Sequence, residues 1–453
     1  MNAALPQDAA LPQLTLALDG AAMAEVFADV LRPHGMRVEA CSVERVKYRP
    51  GRNATLAYRL LLRDAQQRTI AQHVAARLCG GDGAARTVRA SAATLAASPA
   101  GPALRWLPAL DMLTWWWPND AKLRAPRLLA CERRLRSEAL PALLPLLGVP
   151  SAAEVGIDLD IVQYVPEHRL CARVDLQWRD GGATHTQRVY AKASREPDGA
   201  TAHGLLAQLQ ASAAWRGGRL HTPRALLWHE PTELYWQEGV PGRPLQDMGA
   251  AVSACAPALG AQIAALHATP LHAARETTRD DMCARLADVV QRLTRVLGGD
   301  PLHRAAQAID GGWQALDGLP MATLHGDLHT RNILVSERGS GPRVSLIDLD
   351  SLHRAPALLE LGAWVADAMY HALLEGAPAQ RDQAAWCALI DTYVDAGGAR
   401  PDPAALRWAT AWSLLTQRAW RCVINLKPGR FVLAPRLVAL AAELLDTPEI
   451  ATC

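Results

Sequence analysis

Residues 324–352 read LHGDLHTRNILVSERGSGPRVSLIDLDSL, from Leu324 to Leu352. Two short apolar runs, Asn332–Ser336 and Val344–Ile347, flank a glycine-rich turn, which is the pattern of a β-hairpin. The first run follows His325-Gly326-Asp327-Leu328-His329-Thr330-Arg331-Asn332, and the second ends in Asp348-Leu349-Asp350. A hairpin between them brings both ends to one edge, so Asp327, Asn332 and Asp348 are expected to lie together. Asp350 sits two residues further on and, in an extended segment, points the same way as Asp348. It fits either a further metal ligand or a turn residue.

The spacing of His, Asp, Leu and Asn follows the catalytic loop of protein kinases, H-R-D-L-x-x-x-N, with Gly326 in place of the arginine. Asp348-Leu349-Asp350 then stands where those enzymes have D-F-G. Phosphoryl transfer gathers negative charge on the moving group, and its catalysis is mainly positioning and electrostatic stabilisation. A carboxylate must orient the acceptor hydroxyl and take its proton, and Asp327 suits that role. Magnesium is a hard ion that wants oxygen ligands, a few from protein and the rest from phosphates and water. Asn332 and Asp348 suit that one. His325 is expected to brace the loop, and His329 to be structural.

Working outward, the chain has 453 residues, half of them hydrophobic, enough for two or three packed units. Its 47 Lys+Arg nearly balance 45 Asp+Glu, which argues against a nucleic-acid binder held by a general positive field. Nine cysteines are scattered without a C-x-x-C pair, so neither a disulfide framework nor a structural zinc site is expected. The N-terminus lacks a basic start followed by an apolar run, and no window reaches about 18 uncharged apolar residues. A soluble, cytoplasmic protein with no nucleic-acid or membrane partner is the expectation.

One pattern occurs twice. Tyr48-Arg-Pro-Gly-Arg-Asn leads to Arg63-Asp64 and then the apolar His73–Arg77; Tyr164-Val-Pro-Glu-His-Arg leads to Arg179-Asp180 and then Arg188–Lys192. This register predicts a duplicated module of two strands, a turn and a third strand, with Arg77 nearly opposite Lys192. Between the copies, Trp115-Trp116-Trp117 reads as a strand packed between modules in preference to a stacking platform for bases or sugars. From about Gly249 onward the chain reads as mostly helical.

His325-Gly326-Asp327-Leu328-His329-Thr330-Arg331-Asn332 and Ile347-Asp348-Leu349-Asp350 resemble the aminoglycoside phosphotransferase family, a kinase-like group that includes choline, homoserine and sugar kinases. The resemblance implies an α+β, bilobal protein kinase-like fold: a small antiparallel β lobe over residues 151–237 and a large helical lobe over 238–453. Residues 1–150 would be an extra N-terminal α+β domain, a degenerate repeat of the nucleotide lobe. It implies a phosphotransferase moving the γ-phosphate of ATP (or GTP), with Mg2+, to a hydroxyl of a small molecule such as a sugar, amino sugar, amino alcohol or aminoglycoside. A nucleotide-binding pseudokinase is the alternative. By the same resemblance Lys192 contacts the α- and β-phosphates, and Gln237, Glu238 and Gly239 hold the adenine through backbone groups. Leu259–Leu271 is similar to the helix before the catalytic loop, and Glu360 would buttress that loop. The helix 199–212 carries no acid to partner Lys192; Glu196, Asp198, His203 and Gln208 are the candidate substitutes. Asp367, Glu375 and Asp391 are acidic candidates for a cationic acceptor.

Overall fold

Long strands with buried residues on alternate positions lead each half of the first 240 residues. The computed structural model describes residues 5–79, 95–195, 198–272, 274–338 and 341–446. β1 (Arg37–Arg49), β2 (Asn53–Arg63) and β3 (Thr69–Cys79) form a meander, joined by β4 (Leu104–Leu107) and β5 (Met112–Trp116). β6 (Gly156–Val165), β7 (Arg169–Asp180) and β8 (Ala183–Ser194) form a second meander, joined by β9 (Ala225–His229) and β10 (Leu234–Glu238). The sheets have the same order, β1-β2-β3-β5-β4 and β6-β7-β8-β10-β9. Thr55 faces Arg77 across the first meander as Cys171 faces Lys192 across the second.

The two meanders also share the way their first turn is tied down. Asp8 accepts from the Tyr48 hydroxyl and the Gly51 N–H, both at 2.7 Å. Asp120 accepts from the Tyr164 hydroxyl at 2.7 Å and the Glu167 N–H at 3.0 Å. Each aspartate also caps its own chain two residues on, at Ala10 and Lys122. The turn positions Gly51 and Glu167 both have left-handed backbone, φ 69° and 66°. Glycine takes that conformation freely; a glutamate needs its surroundings to hold it there.

Contact density divides the chain into two units, residues 1–200 with 226–237 and 424–428, and the remainder. In the first unit both sheets contribute to one apolar cluster, which includes Trp115, Leu128, Leu140, Val174 and Trp236. Residue 150 lies inside this unit. Trp115 and Trp116 are buried in β5, and Trp116 meets Phe27 of α1 (Gly20–Leu31) edge-on at 5.7 Å. They fill core space and offer no stacking face. α2 (Gly199–Ala211) follows β8.

The second unit is helical: α3 (Ala256–His267), α4 (Arg279–Thr294), α5 (Asp300–Asp310), α6 (Leu358–Leu374), α7 (Gln383–Asp395), α8 (Pro403–Ser413) and α9 (Ala434–Asp446). A capping box of Thr278 and Asp281 starts α4. Small residues let the helices approach closely. A Cβ on Gly260 of α3 would collide with α7 at Thr392, and one on Gly362 of α6 with α8 at Ala409. Small antiparallel pairings sit among these helices. β11 (Arg243–Pro244) pairs with β13 (Ile333–Arg338), β12 (Met321–Leu324) with β15 (His353–Pro356), and β13 with β14 (Gly341–Leu346). The expected hairpin is therefore present, and the β12–β15 pairing closes the other ends of the same segments. Among the described residues no helix is long and apolar enough to cross a membrane. Cys41, Cys79, Cys131, Cys171, Cys255, Cys283 and Cys422 are free thiols, whereas Cys387 is disulfide-bonded.

Candidate active site

The segment 325–332 runs from β12 to β13, and 347–352 from β14 to β15, so each is held at both ends by strand pairing. Backbone bonds then lock the two together. The Ile347 N–H donates to the Asn332 carbonyl at 2.9 Å, and the His325 ring lies 2.9 Å from the Ile347 carbonyl. Asn332 donates from Nδ2 to the Asp327 carbonyl at 3.0 Å. Asp327 and Asn332 are thus joined directly, and Asp348 follows the residue that bonds to Asn332. Asp348 itself has left-handed backbone, φ 60° and ψ 50°. A non-glycine residue keeps that conformation only where its surroundings impose it.

Gly326 explains itself in the same terms. Its φ is 80°, and a Cβ there would collide with the Ser351 carbonyl. The glycine lets the loop lie against the segment following Asp348.

Glu360 on α6 lies beneath the loop with 4% of its surface exposed. Its carboxylate accepts from the backbone N–H groups of His325 at 3.1 Å and Gly326 at 2.9 Å, and meets His267 of α3 at 3.0 Å. His267 is fixed in turn by Tyr393 of α7 at 3.0 Å. Burial works against the Glu360 charge, yet the His267 contact and the loop N–H groups hold its carboxyl below the usual range. The buttress implied by the resemblance is in place, and α3 is the helix that completes it.

The Asp327 carboxylate has two neighbours. Oδ1 accepts from Arg421 at 2.9 Å, and Oδ2 lies 3.8 Å from His329 Nε2. Burial opposes ionisation, but Arg421 first, then His329 and Arg418, push its pKa far below the ordinary carboxylate value. It is a carboxylate at any neutral pH. Burial lowers the His329 pKa despite Asp327 nearby, so its imidazole is neutral there. Oδ1 is taken by Arg421, whereas Oδ2 has no neighbour within hydrogen-bond distance among the described residues. A pocket of about 280 Å³ reaches Asp327, lined also by Arg285, Trp412 and Arg418.

A divalent cation fits the donor set. Asn332 Nδ2 is committed, and no described group donates to its Oδ1, which is left for a hard cation. Among the described residues no cluster of three His, Cys, Asp or Glu gathers. An ion held by Asn332 and Asp348 would therefore complete its shell with phosphate and water oxygens.

In the other unit, Lys192 lies on β8 with 6% of its surface exposed, its ammonium 5.7 Å from the centre of the Tyr235 ring. Gln237 is buried at the end of β10. Glu238 donates its N–H to the Arg224 carbonyl at 2.9 Å and pairs with the Arg224 side chain at 3.2 Å. That amide is engaged already. Glu196 lies outside the described residues, and Asp198 is exposed. The His203 Nε2 atom is buried without a partner.

Of the acidic candidates for a cationic acceptor, Asp367 is buried against Arg418 at 3.0 Å, and Asp391 pairs with Arg400 at 2.9 Å on the surface. Glu375 pairs with Arg381. Arg418 and Arg421 were not legible in the sequence, because arginines in a helical tract carry no spacing signal. The paired anchors Asp8 and Asp120 do carry one: Asp8-Ala-Ala-Leu11 and Asp120-Ala-Lys-Leu123.

A sequence model of the phosphotransferase enzyme family matches residues 179–409, slightly more than half of the chain. The chain belongs to this family. The loop that carries Asp327 falls inside the matched segment. No curated protein matches the sequence. Among solved structures, the phosphotransferase chain is similar to a choline/ethanolamine kinase family protein from Mesorhizobium loti, with 17% identity, TM-score 0.46, 69% of this chain and 95% of that one covered. It is also similar to choline kinase LicA from Streptococcus pneumoniae, with 10% identity, TM-score 0.46 and coverage of 68% and 99%. Macrolide 2'-phosphotransferase MphH from Brachybacterium faecium gives 20% identity, TM-score 0.41 and coverage of 68% and 98%.

Proposed function

We propose that this phosphotransferase moves the γ-phosphate of ATP or GTP to a hydroxyl group of a small molecule. The observation that carries the reading is the loop itself: a buttressed carboxylate, Asp327, with one oxygen committed to Arg421 and the other open. Asp327 Oδ2 accepts the hydroxyl proton of the acceptor as its oxygen attacks, and Arg421 keeps the carboxylate from swinging away. Asn332 and Asp348 hold Mg2+, which when bound neutralises phosphate charge. Lys192 anchors the α- and β-phosphates, and the backbone at Gln237 and Gly239 takes the adenine. A hydroxyl acceptor of small size follows from the short segment between Asp350 and Glu360, which leaves no room for a long protein-docking loop.

A panel of sugars, sugar phosphates, sugar acids, amino sugars, amino alcohols and aminoglycosides, each with labelled nucleotide and magnesium, tests this reading. Label should move to at least one hydroxyl compound. A scaffold that binds nucleotide without transfer is the second reading. One observation favours it: α2 carries no carboxylate for Lys192. Nucleotide binding with no transfer to any member of the panel would establish it.

A further inference from the structure

The acceptor pocket beside Asp327 has an unbalanced set of charges. Arg285 lines it, donates to the Thr416 carbonyl at 2.9 Å and lies 5.7 Å over the Trp420 ring. Among the described residues no carboxylate lies within salt-bridge distance of its guanidinium. Arg418 also lines the pocket and is 7% exposed; one of its nitrogens pairs with Asp367 at 3.0 Å, while its Nε is buried without any partner. Arg421 is joined to Asp327. The remaining acids are committed. Glu360 is saturated by His267 and two loop N–H groups, and Asp281 by Arg275 and the Thr278 cap. A buried guanidinium nitrogen without an acceptor is costly, and a guanidinium fork matches the planar or tetrahedral oxygens of an anion.

We infer that the acceptor carries an anionic group, a phosphate or carboxylate, a few bonds from the hydroxyl that is phosphorylated, and that Arg285 and Arg418 receive it. The inference rests on the phosphotransferase reading above and names its acceptor class. It runs against a cationic acceptor, because each acid that would meet an ammonium is already paired with a cation or with backbone N–H groups. The oxygen of Asp327 left open by Arg421 faces the hydroxyl; the arginines fix the other end of the same molecule.

The test compares matched acceptors: a hexose, its 6-phosphate, its sugar acid and its amino sugar, with phosphate and carboxylate in separate arms. An anionic member is expected to exceed its neutral partner by about tenfold or more in kcat/KM, the scale of one charge-assisted hydrogen bond. Arg285→Gln should raise the KM of that acceptor by about tenfold with the KM of ATP unchanged, and Arg285→Lys should restore part of the loss. Should Arg285→Gln fail to fold, the wild-type preference decides alone. Preference for the neutral or amino member, with transfer still dependent on Asp327, overturns the inference and leaves the phosphotransferase reading intact. A rise in the KM of ATP alone assigns the arginine to nucleotide and overturns it equally. Absence of transfer to every compound removes the phosphotransferase reading, and the inference with it.

Discussion

Glu360 holds two backbone N–H groups and one imidazole in a space from which water is shut out. Replacing it by glutamine puts an NH2 group where one of those donors now finds an acceptor. An unsatisfied buried donor costs about 1–3 kcal/mol, so Glu360→Gln should lower the unfolding free energy by that amount and the urea midpoint in proportion. The same variant should lower kcat, since His325 and Gly326 lead directly into Asp327. Equal midpoints for variant and wild type would show that the buttress is dispensable. Magnesium belongs to the same scale: Asp348→Ala should abolish the magnesium dependence of nucleotide binding in a titration, whereas undiminished dependence would move the ion elsewhere. These residues were legible because H-G-D-L-H-x-x-N and I-D-x-D fix both types and distances. Arg421 was not, since its partnership with Asp327 spans 94 positions and depends on how the helices pack.

Between elements, one of the contacts that tie the first meander to the second is made by Arg77 and Glu167. Arg77 stands on β3 where Lys192 stands on β8, as the paired cross-strand registers show. Its Nε donates to Glu167 at 2.8 Å, and Lys122 approaches the same carboxylate at 3.1 Å. Glu167 is 4% exposed and occupies the β6–β7 turn with left-handed backbone. The equivalent cation of the first module thus serves as a clamp on a turn of the second. A double-mutant cycle of Arg77→Met and Glu167→Gln in urea should give a coupling energy of about 1 kcal/mol or more. Purely additive changes would show that the pair contributes nothing jointly. The hairpins themselves were legible from Tyr-x-Pro turns and alternating apolar residues. Their shared core was not, because the helical segments between residues 125 and 146 that fill it show no feature marking which sheet they cover.

Among the described residues, five half-buried histidines sit in surroundings that penalise their charge: His73, His203, His221, His329 and His371 all have pKa values lowered by burial. In the unfolded chain each titrates near about 6.5. Below that pH the unfolded state binds more protons than the folded one, so stability falls as pH drops. Asp327 works in another window: its depressed pKa contributes stability that is complete above the ordinary carboxylate value and lost only below it. Between pH 7.5 and 5.5 the histidines therefore decide the trend, and the urea midpoint should decrease. A midpoint that holds steady or rises over this interval would contradict the burial of neutral imidazoles. At this scale the sequence made the class of fold readable, from strands early and helices late. It did not show that residues 1–200 pack as a single unit, because that depends on side chains from two modules meeting in one core.

The proposed transfer turns on Asp327 as the group that accepts the proton of the acceptor hydroxyl. Single-turnover transfer of labelled γ-phosphate, with enzyme in excess over nucleotide and magnesium present, measures that step directly for wild type and Asp327→Asn. The variant keeps the shape of the side chain and its contact site for Arg421 but cannot take the proton. A fall of about 10²-fold or more in the transfer rate is predicted, with nucleotide affinity little changed. Transfer at the wild-type rate would contradict the account.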